Sequence, residues 1–271
     1  MEVRKMKQNK GLLVVLLVMF IVVFGAISLF QLWNNFVDDS NIIEIENESF
    51  TSIDVLSENA AVEIISTNSE ATTVEYIGKK RKNTKFDFKA DVENDELTVI
   101  LKEKRWSFLR FDFSFSKIEL LIKVPQKQYD RIKINNNNGK IKAEDIKAKD
   151  IKFETDNGKI ELKNVDALST QVESNNGKII LEQVSGEIIG KTDNGGILLV
   201  TEELDSPIDL TTDNGRIEIK STNKPTNGII DVKMDNGNID VFGKKNEKTV
   251  FGDGENLIKL RTDNGKITVT K

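Results

Sequence analysis

One five-residue phrase, Asp or Asn followed by Asn-Gly, a variable residue and Ile, recurs seven times, so any fold must place seven copies of the same tight turn. The copies are centred on Asn138-Gly139, Asn157-Gly158, Asn176-Gly177, Asn194-Gly195, Asn214-Gly215, Asn236-Gly237 and Asn264-Gly265. Successive glycines are 19, 19, 18, 20, 22 and 28 residues apart. A period near 20 marks a repeat architecture.

The flanks repeat with the turn. Seven and five residues before each glycine stand mostly apolar residues, as in Ile132/Ile134, Ile151/Phe153 and Ile208/Leu210. Two and four residues after it stand another apolar pair, as in Ile160/Leu162, Ile217/Ile219 and Ile267/Val269, and the third residue before it is nearly always small and polar. Alternation with period two predicts strands with one buried face. Each unit therefore reads as strand, tight turn, strand, with Gly supplying positive φ and Asn tolerating it. A meander of type I′ hairpins and a parallel β-solenoid (β-helix) both satisfy this parity. The near-identity of successive units favours the solenoid, in which equivalent asparagines lie about 4.8 Å apart and bond side chain to side chain with little solvent.

Upstream of these repeats, residues 11–33 carry no charge. Twenty or more apolar residues at 1.5 Å rise cover a hydrocarbon core of about 30 Å. The stretch reads as a transmembrane signal-anchor helix, with a cleaved signal peptide as the competing reading. Arg4, Lys5, Lys7 and Lys10 precede it and Asp38 and Asp39 follow. The positive-inside rule then leaves residues 1–10 in the cytoplasm and the bulk of the chain outside, a single-pass cell-membrane protein. Residues 34–41 read as a polar tether. Residues 42–271 read as one extracytoplasmic repeat domain, regular over 130–271 and degenerate over 42–129. Asn59-Ala60 and Asn94-Asp95 align as worn copies of the turn, with insertions over 76–85 and 102–115. Phe111, Phe113 and Phe115 alternate within the second insertion, as core rings or as an exposed aromatic platform.

Composition narrows the chemistry. Of 271 residues none is Cys and none is His. That removes disulfides, thiolate or imidazole metal sites, and the usual general base at neutral pH. The net charge is −5 with both signs interspersed, a poor electrostatic partner for nucleic acid. The turn acids Asp156, Asp193, Asp213, Asp235 and Asp263 would stack into a carboxylate column. A Ca²⁺ ion suits oxygen ligands, but the calcium-binding β-roll nonapeptide is absent and Asp and Asn cap turns through their own side chains. No metal and no cofactor is expected. Lys140, Lys159, Lys178, Arg216 and Lys266 follow the glycines and would form an adjacent cationic column that neutralises the acids.

The turn phrase, together with Ile122-Lys123-Val124-Pro125, Tyr129-Asp130-Arg131-Ile132 and the entry Ile53-Asp54-Val55 with Val62-Glu63-Ile64, resembles the bacterial putative-adhesin β-strand-repeat family. That family includes LiaG-like membrane-anchored cell-envelope proteins. The resemblance spans residues 42–271 and implies a β-solenoid ectodomain at the cell envelope with no established enzymatic activity and no functional residues to carry over. The expected function is a non-catalytic, adhesin-like binding or scaffold module, with envelope proteins or cell-surface glycans as partners. An envelope-stress signalling accessory and a polysaccharide lyase or hydrolase are the alternatives, the last because β-helices host such chemistry with Lys, Arg and carboxylates.

Overall fold

The computed structural model describes residues 36–46, 49–104 and 117–271. The expected membrane helix and the whole of the Phe-rich stretch lie outside these residues. Everything described is strand, turn or irregular chain, and no helix among the described residues is long and apolar enough to cross a membrane.

The regular repeats begin with β8 (Gln128–Asn138), β9 (Ile141–Glu144) and β10 (Lys147–Asn157), which come after seven upstream strands. They continue through β11 (Ile160–Ser174), β12 (Ile179–Asn194), β13 (Ile197–Thr201), β14 (Ile208–Ser221), β15 (Gly228–Val241), β16 (Lys248–Phe251) and β17 (Asn256–Thr270). Strands before the Asn-Gly turn pair in parallel, Ile132 with Ile151, Ile151 with Thr170 and Ile188 with Ile208. Strands after it do the same, Ile141 with Ile160, Ile160 with Ile179 and Ile197 with Ile217. The units are thus stacked coils, as in a β-solenoid, and not hairpins. Two walls face each other across one core. Into it point Ile141, Ile160, Ile179, Ile197, Ile217 and Ile267, each at most 1% exposed. Burial of one such side chain contributes about 1.5–3 kcal/mol, and this column is one of several apolar columns that together hold the coils.

Stacking does not follow chain order at the C-terminal end. β17 pairs with β14 on one side (Ile208 with Ile258, Ile217 with Ile267) and with β15 on the other (Ile230 with Ile258, Ile239 with Ile267). The last coil of the sequence is therefore inserted beneath the penultimate one, and β15 is the outermost. The same inversion occurs upstream. β2 (Ser52–Ser57) and β3 (Ala60–Thr67) form a coil that lies between β8/β9 and a further coil made of β6 (Glu96–Glu103) and β7 (Lys117–Pro125).

Asn59-Ala60 is thus a true member of the stack, as the alignment of residues 53–64 predicts. Asn94-Asp95 is not. Both residues have positive φ, 50° and 62°, and they join β5 (Phe86–Glu93) to β6 as an antiparallel hairpin. Here the turn signal has its ordinary hairpin meaning. β4 (Thr72–Arg81) is likewise antiparallel to β7, and β1 (Phe36–Ile45) to β4. Of the region read as degenerate coils, β1, β4 and β5 are instead antiparallel strands closing one end of the stack. β16 partly closes the other against β15. From Phe36 onward the stretch read as a tether belongs to β1. Covering terminal strands in this way removes open edges that would otherwise recruit other chains.

Candidate functional site

The most regular feature of the molecule is the edge formed by the turns. Asn138 Nδ2 donates to Asn59 Oδ1 (2.9 Å), Asn157 to Asn138 (2.9 Å), Asn176 to Asn157 (3.0 Å) and Asn194 to Asn176 (3.0 Å). The ladder then runs Asn214 to Asn194, Asn264 to Asn214 and Asn236 to Asn264, each 3.2 Å, in the spatial order of the coils and not that of the chain. Eight amides make one file with every donor pointing the same way. The expectation that they are shielded from water is corrected: Asn59 is half-buried and the other seven are exposed. Each bond therefore contributes on the order of 1 kcal/mol, without the penalty of an orphaned buried group.

Shielded contacts lie one layer inward. Except at Met234, the residue three before each glycine is small, polar and buried, and it reaches toward the glycine carbonyl of the adjacent coil. Ser174 Oγ donates to Gly158 O at 2.8 Å, Thr192 Oγ1 to Gly177 O at 3.0 Å and Thr212 Oγ1 to Gly195 O at 3.0 Å. Asn136 Nδ2 does the same to Ala60 O at 2.8 Å.

The glycines are needed for space more than for φ. A Cβ on Gly177 would lie 1.8 Å from Gly158 O, and one on Gly215 would lie 1.6 Å from Gly195 O. Of the seven turn glycines only Gly139 and Gly237 have φ in the left-handed range. The positive φ expected at these turns is therefore found at two of the seven glycines, and close approach of the neighbouring coil is what all seven share.

Next to the asparagines stand the turn acids. Register places Asp193, Asp213, Asp263 and Asp235 on four consecutive coils, whereas Asp156 stands between Asn137 and Asn175 and accepts from Asn175 Nδ2 at 3.2 Å. Among the described residues no three acidic side chains converge with metal-holding geometry.

Two of the cations after the glycines take a partner other than the turn acids. Lys140 and Lys159 both turn to Glu161 on the wall behind. Burial pushes the Glu161 carboxyl up, but the two lysine hydrogen bonds outweigh it and hold it below its ordinary range. Beside it, Lys142 binds Glu63 (2.8 Å) and Glu144 (2.9 Å), and Lys163 binds Glu144 (2.6 Å). The bonds from Lys163 and Lys142 lower the Glu144 carboxyl to about 2. Alternating charges on neighbouring coils thus tie the outer face of this wall together.

A second edge, opposite the first, was not singled out from the sequence. Asp145, Asn164 and Gln183 sit six residues after successive glycines with φ of 58°, 52° and 53°, and Asn164 Nδ2 donates to Asp145 Oδ1 at 3.0 Å. Their recurrence at a 19-residue interval was available as a signal, because Asn and Asp accept the left-handed conformation better than most residues. An open groove of about 410 Å³ lies here, lined by residues that include Ser66, Asn68, Gln126, Lys147 and Asp166.

This arrangement locks the coils in one register through side-chain and backbone hydrogen bonds along one edge and ion pairs on one wall. Solved structures of similar shape include a putative cell adhesion protein from Clostridium sporogenes, at 17% identity over 87% of this chain and 99% of that one, with a TM-score of 0.39. Another is a putative adhesin from Bacteroides fragilis, at 13% identity over 85% and 97%, with a TM-score of 0.46. A search of curated proteins gave no significant match. The Toastrack DUF4097 family model matches twice, over residues 50–187 and 143–270, which together take in all the regular coils and most of the upstream ones. The chain belongs to the Toastrack DUF4097 family.

Proposed function

We propose that this protein is a non-catalytic scaffold or binding module of the cell envelope, anchored by residues 11–33 and displaying its stacked coils outside the membrane. The observation that carries the reading is the ladder of eight asparagines, which fixes eight coils in one register and builds a stiff body about 40 Å long at about 4.8 Å per coil. Such a body presents long, flat, charged walls suited to a protein or glycan surface more than to a small molecule. The uncharged stretch 11–33 with its preceding cations supports the anchoring, and the absence of His and Cys from the sequence supports the non-catalytic role.

The test is crosslinking in intact cells followed by capture of the full-length chain, with protease added to protoplasts in parallel. The reading expects an envelope protein or glycan on the captured chain, and protease removal of everything beyond Phe36 with the N-terminus protected. Depolymerisation of an envelope polysaccharide by the purified chain would overturn it.

A further inference from the structure

The corner of the stack nearest the apolar stretch differs in charge from the rest of the molecule. Two residues separate Trp33 from Phe36, and an extended chain spans at most about 3.6 Å per residue, so β1 starts within about 11 Å of the end of that stretch. β1 runs antiparallel to β4 and sets Phe36 opposite Arg81, Val37 opposite Lys80 and Asp38 opposite Lys79. β4 then turns through Lys82 to Lys85. Lys117 lies opposite Lys79 on the other side, and the Lys104 amide bonds to the Lys85 carbonyl at 2.7 Å.

Acids at this corner are fewer than the cations. Asp39 engages Lys80 (2.7 Å), Asp38 lies 4.0 Å from Lys79, Asp87 meets Lys104 (3.5 Å) and Glu103 accepts from Thr84 (3.3 Å). A net positive corner on a chain of net charge −5 is a local reversal of sign. Beside it, Ile42 and Ile77 are 57% and 52% exposed on one face of the β1–β4 pair, with Glu75 opposite Ile42 and Glu119 opposite Ile77, so the cations outnumber the acids only toward the Lys79–Lys85 end.

We propose that this corner, with Lys79, Lys82, Lys85 and Lys117 as its cations and Ile42 and Ile77 as its apolar contacts, rests on the anionic headgroups of the bilayer that anchors the chain. The proposal rests on the anchoring put forward above and adds an orientation to it. Lysine clusters are drawn to a negative lipid surface within a screening length, and their flexible stems let the ammonium groups reach phosphate while aliphatic side chains sit at the interface. The asparagine ladder would then project from the membrane with its β15 end outermost.

Because the sequence has no Cys, Asn83→Cys places a single environment-sensitive label in the basic turn, and Asn238→Cys places one on β15 at the far end. Full-length protein is reconstituted into vesicles of phosphatidylglycerol with phosphatidylcholine, or of phosphatidylcholine alone, each containing a headgroup-linked quencher. The proposal expects quenching at position 83 several-fold stronger in the anionic vesicles, and reduced to the zwitterionic level by 1 M salt, where the screening length is about 3 Å. Lys82→Glu with Lys85→Glu should reduce it likewise, and position 238 should stay unquenched. Alkaline carbonate extraction is read on the same samples. A chain that stays in the vesicles but shows equal quenching at position 83 in both lipids overturns this proposal alone. A chain that is extracted overturns the anchoring, and this proposal with it.

Discussion

At the level of single residues, the turn glycines and the buried hydroxyls determine how closely coils approach. Gly177→Ala puts a methyl group 1.8 Å from a backbone oxygen that cannot rotate away, so the coils must part. Overpacking of this kind costs about 1–3 kcal/mol, more where backbone has to shift. Gly243→Ala is the matched control. Gly243 has φ of +80° with nothing within 4 Å of its Cβ position, so only the left-handed penalty of about 1–2 kcal/mol applies. Urea denaturation should show the larger loss at position 177 despite its ordinary φ, and equal losses would mean that contact is not the reason for the glycine. Thr170 gives the opposite sign. It is fully buried at a place where Ile151 and Ile188 stand in the flanking coils, and its hydroxyl has no partner. Thr170→Val removes an unsatisfied polar group at nearly constant volume and should stabilise by about 1 kcal/mol. A lower denaturation midpoint for that variant would refute the assignment.

At the level of strands and coils, charge stitches one wall while shape stitches the other edge. The chain Glu63–Lys142–Glu144–Lys163 crosses three adjacent coils. Because the folded Glu144 carboxyl sits near 2, below its ordinary 4.5, its contribution is complete above about pH 4.5 and is lost as pH falls toward 2. The stability gap between the parent and Glu144→Gln should therefore be widest near neutral pH and close on acidification, as read by chemical denaturation at pH 6 and pH 2.5. A gap of constant size would place the effect in packing. Strand identity was legible from alternation such as Ile151/Phe153 and Ile160/Leu162, and parallel stacking from the near-identity of units. The partner of each cation was not legible. Lys140 reaches Glu161 on the neighbouring coil, a relation that linear spacing around the turn does not display, whereas Lys159 meets the same carboxylate two residues along its own coil. Asn94-Asp95 misled because apolar alternation on both sides of a turn is common to coils and hairpins. Both residues take positive φ, and Val92 pairs with Leu97 directly across the turn, where a coil would send the two to different stacked partners.

For the molecule as a whole, the order of coils matters more than their number. Spacing between glycines lengthens to 22 and then 28 residues at the C-terminus, and the extra chain after β15 carries β16 and the return that lets β17 enter between β14 and β15. That lengthening was visible in the sequence, but every coil presents the same face, so pattern alone could not say which coil lies against which. The order fixes which end closes the stack and how the asparagine ladder runs. Disulfide trapping between engineered cysteines reads it out on a background with no natural Cys. Asp213 and Asp263 are in register on adjacent coils, whereas Asp213 and Asp235 have a coil between them. Disulfides need Cα atoms about 4.4–6.8 Å apart, which suits neighbouring strands about 4.8 Å apart and excludes a two-coil separation near 10 Å. Under mild oxidation, Asp213→Cys/Asp263→Cys should crosslink within one chain and Asp213→Cys/Asp235→Cys should not. The reverse outcome would mean that the coils run in chain order and would contradict the insertion of β17 between β14 and β15.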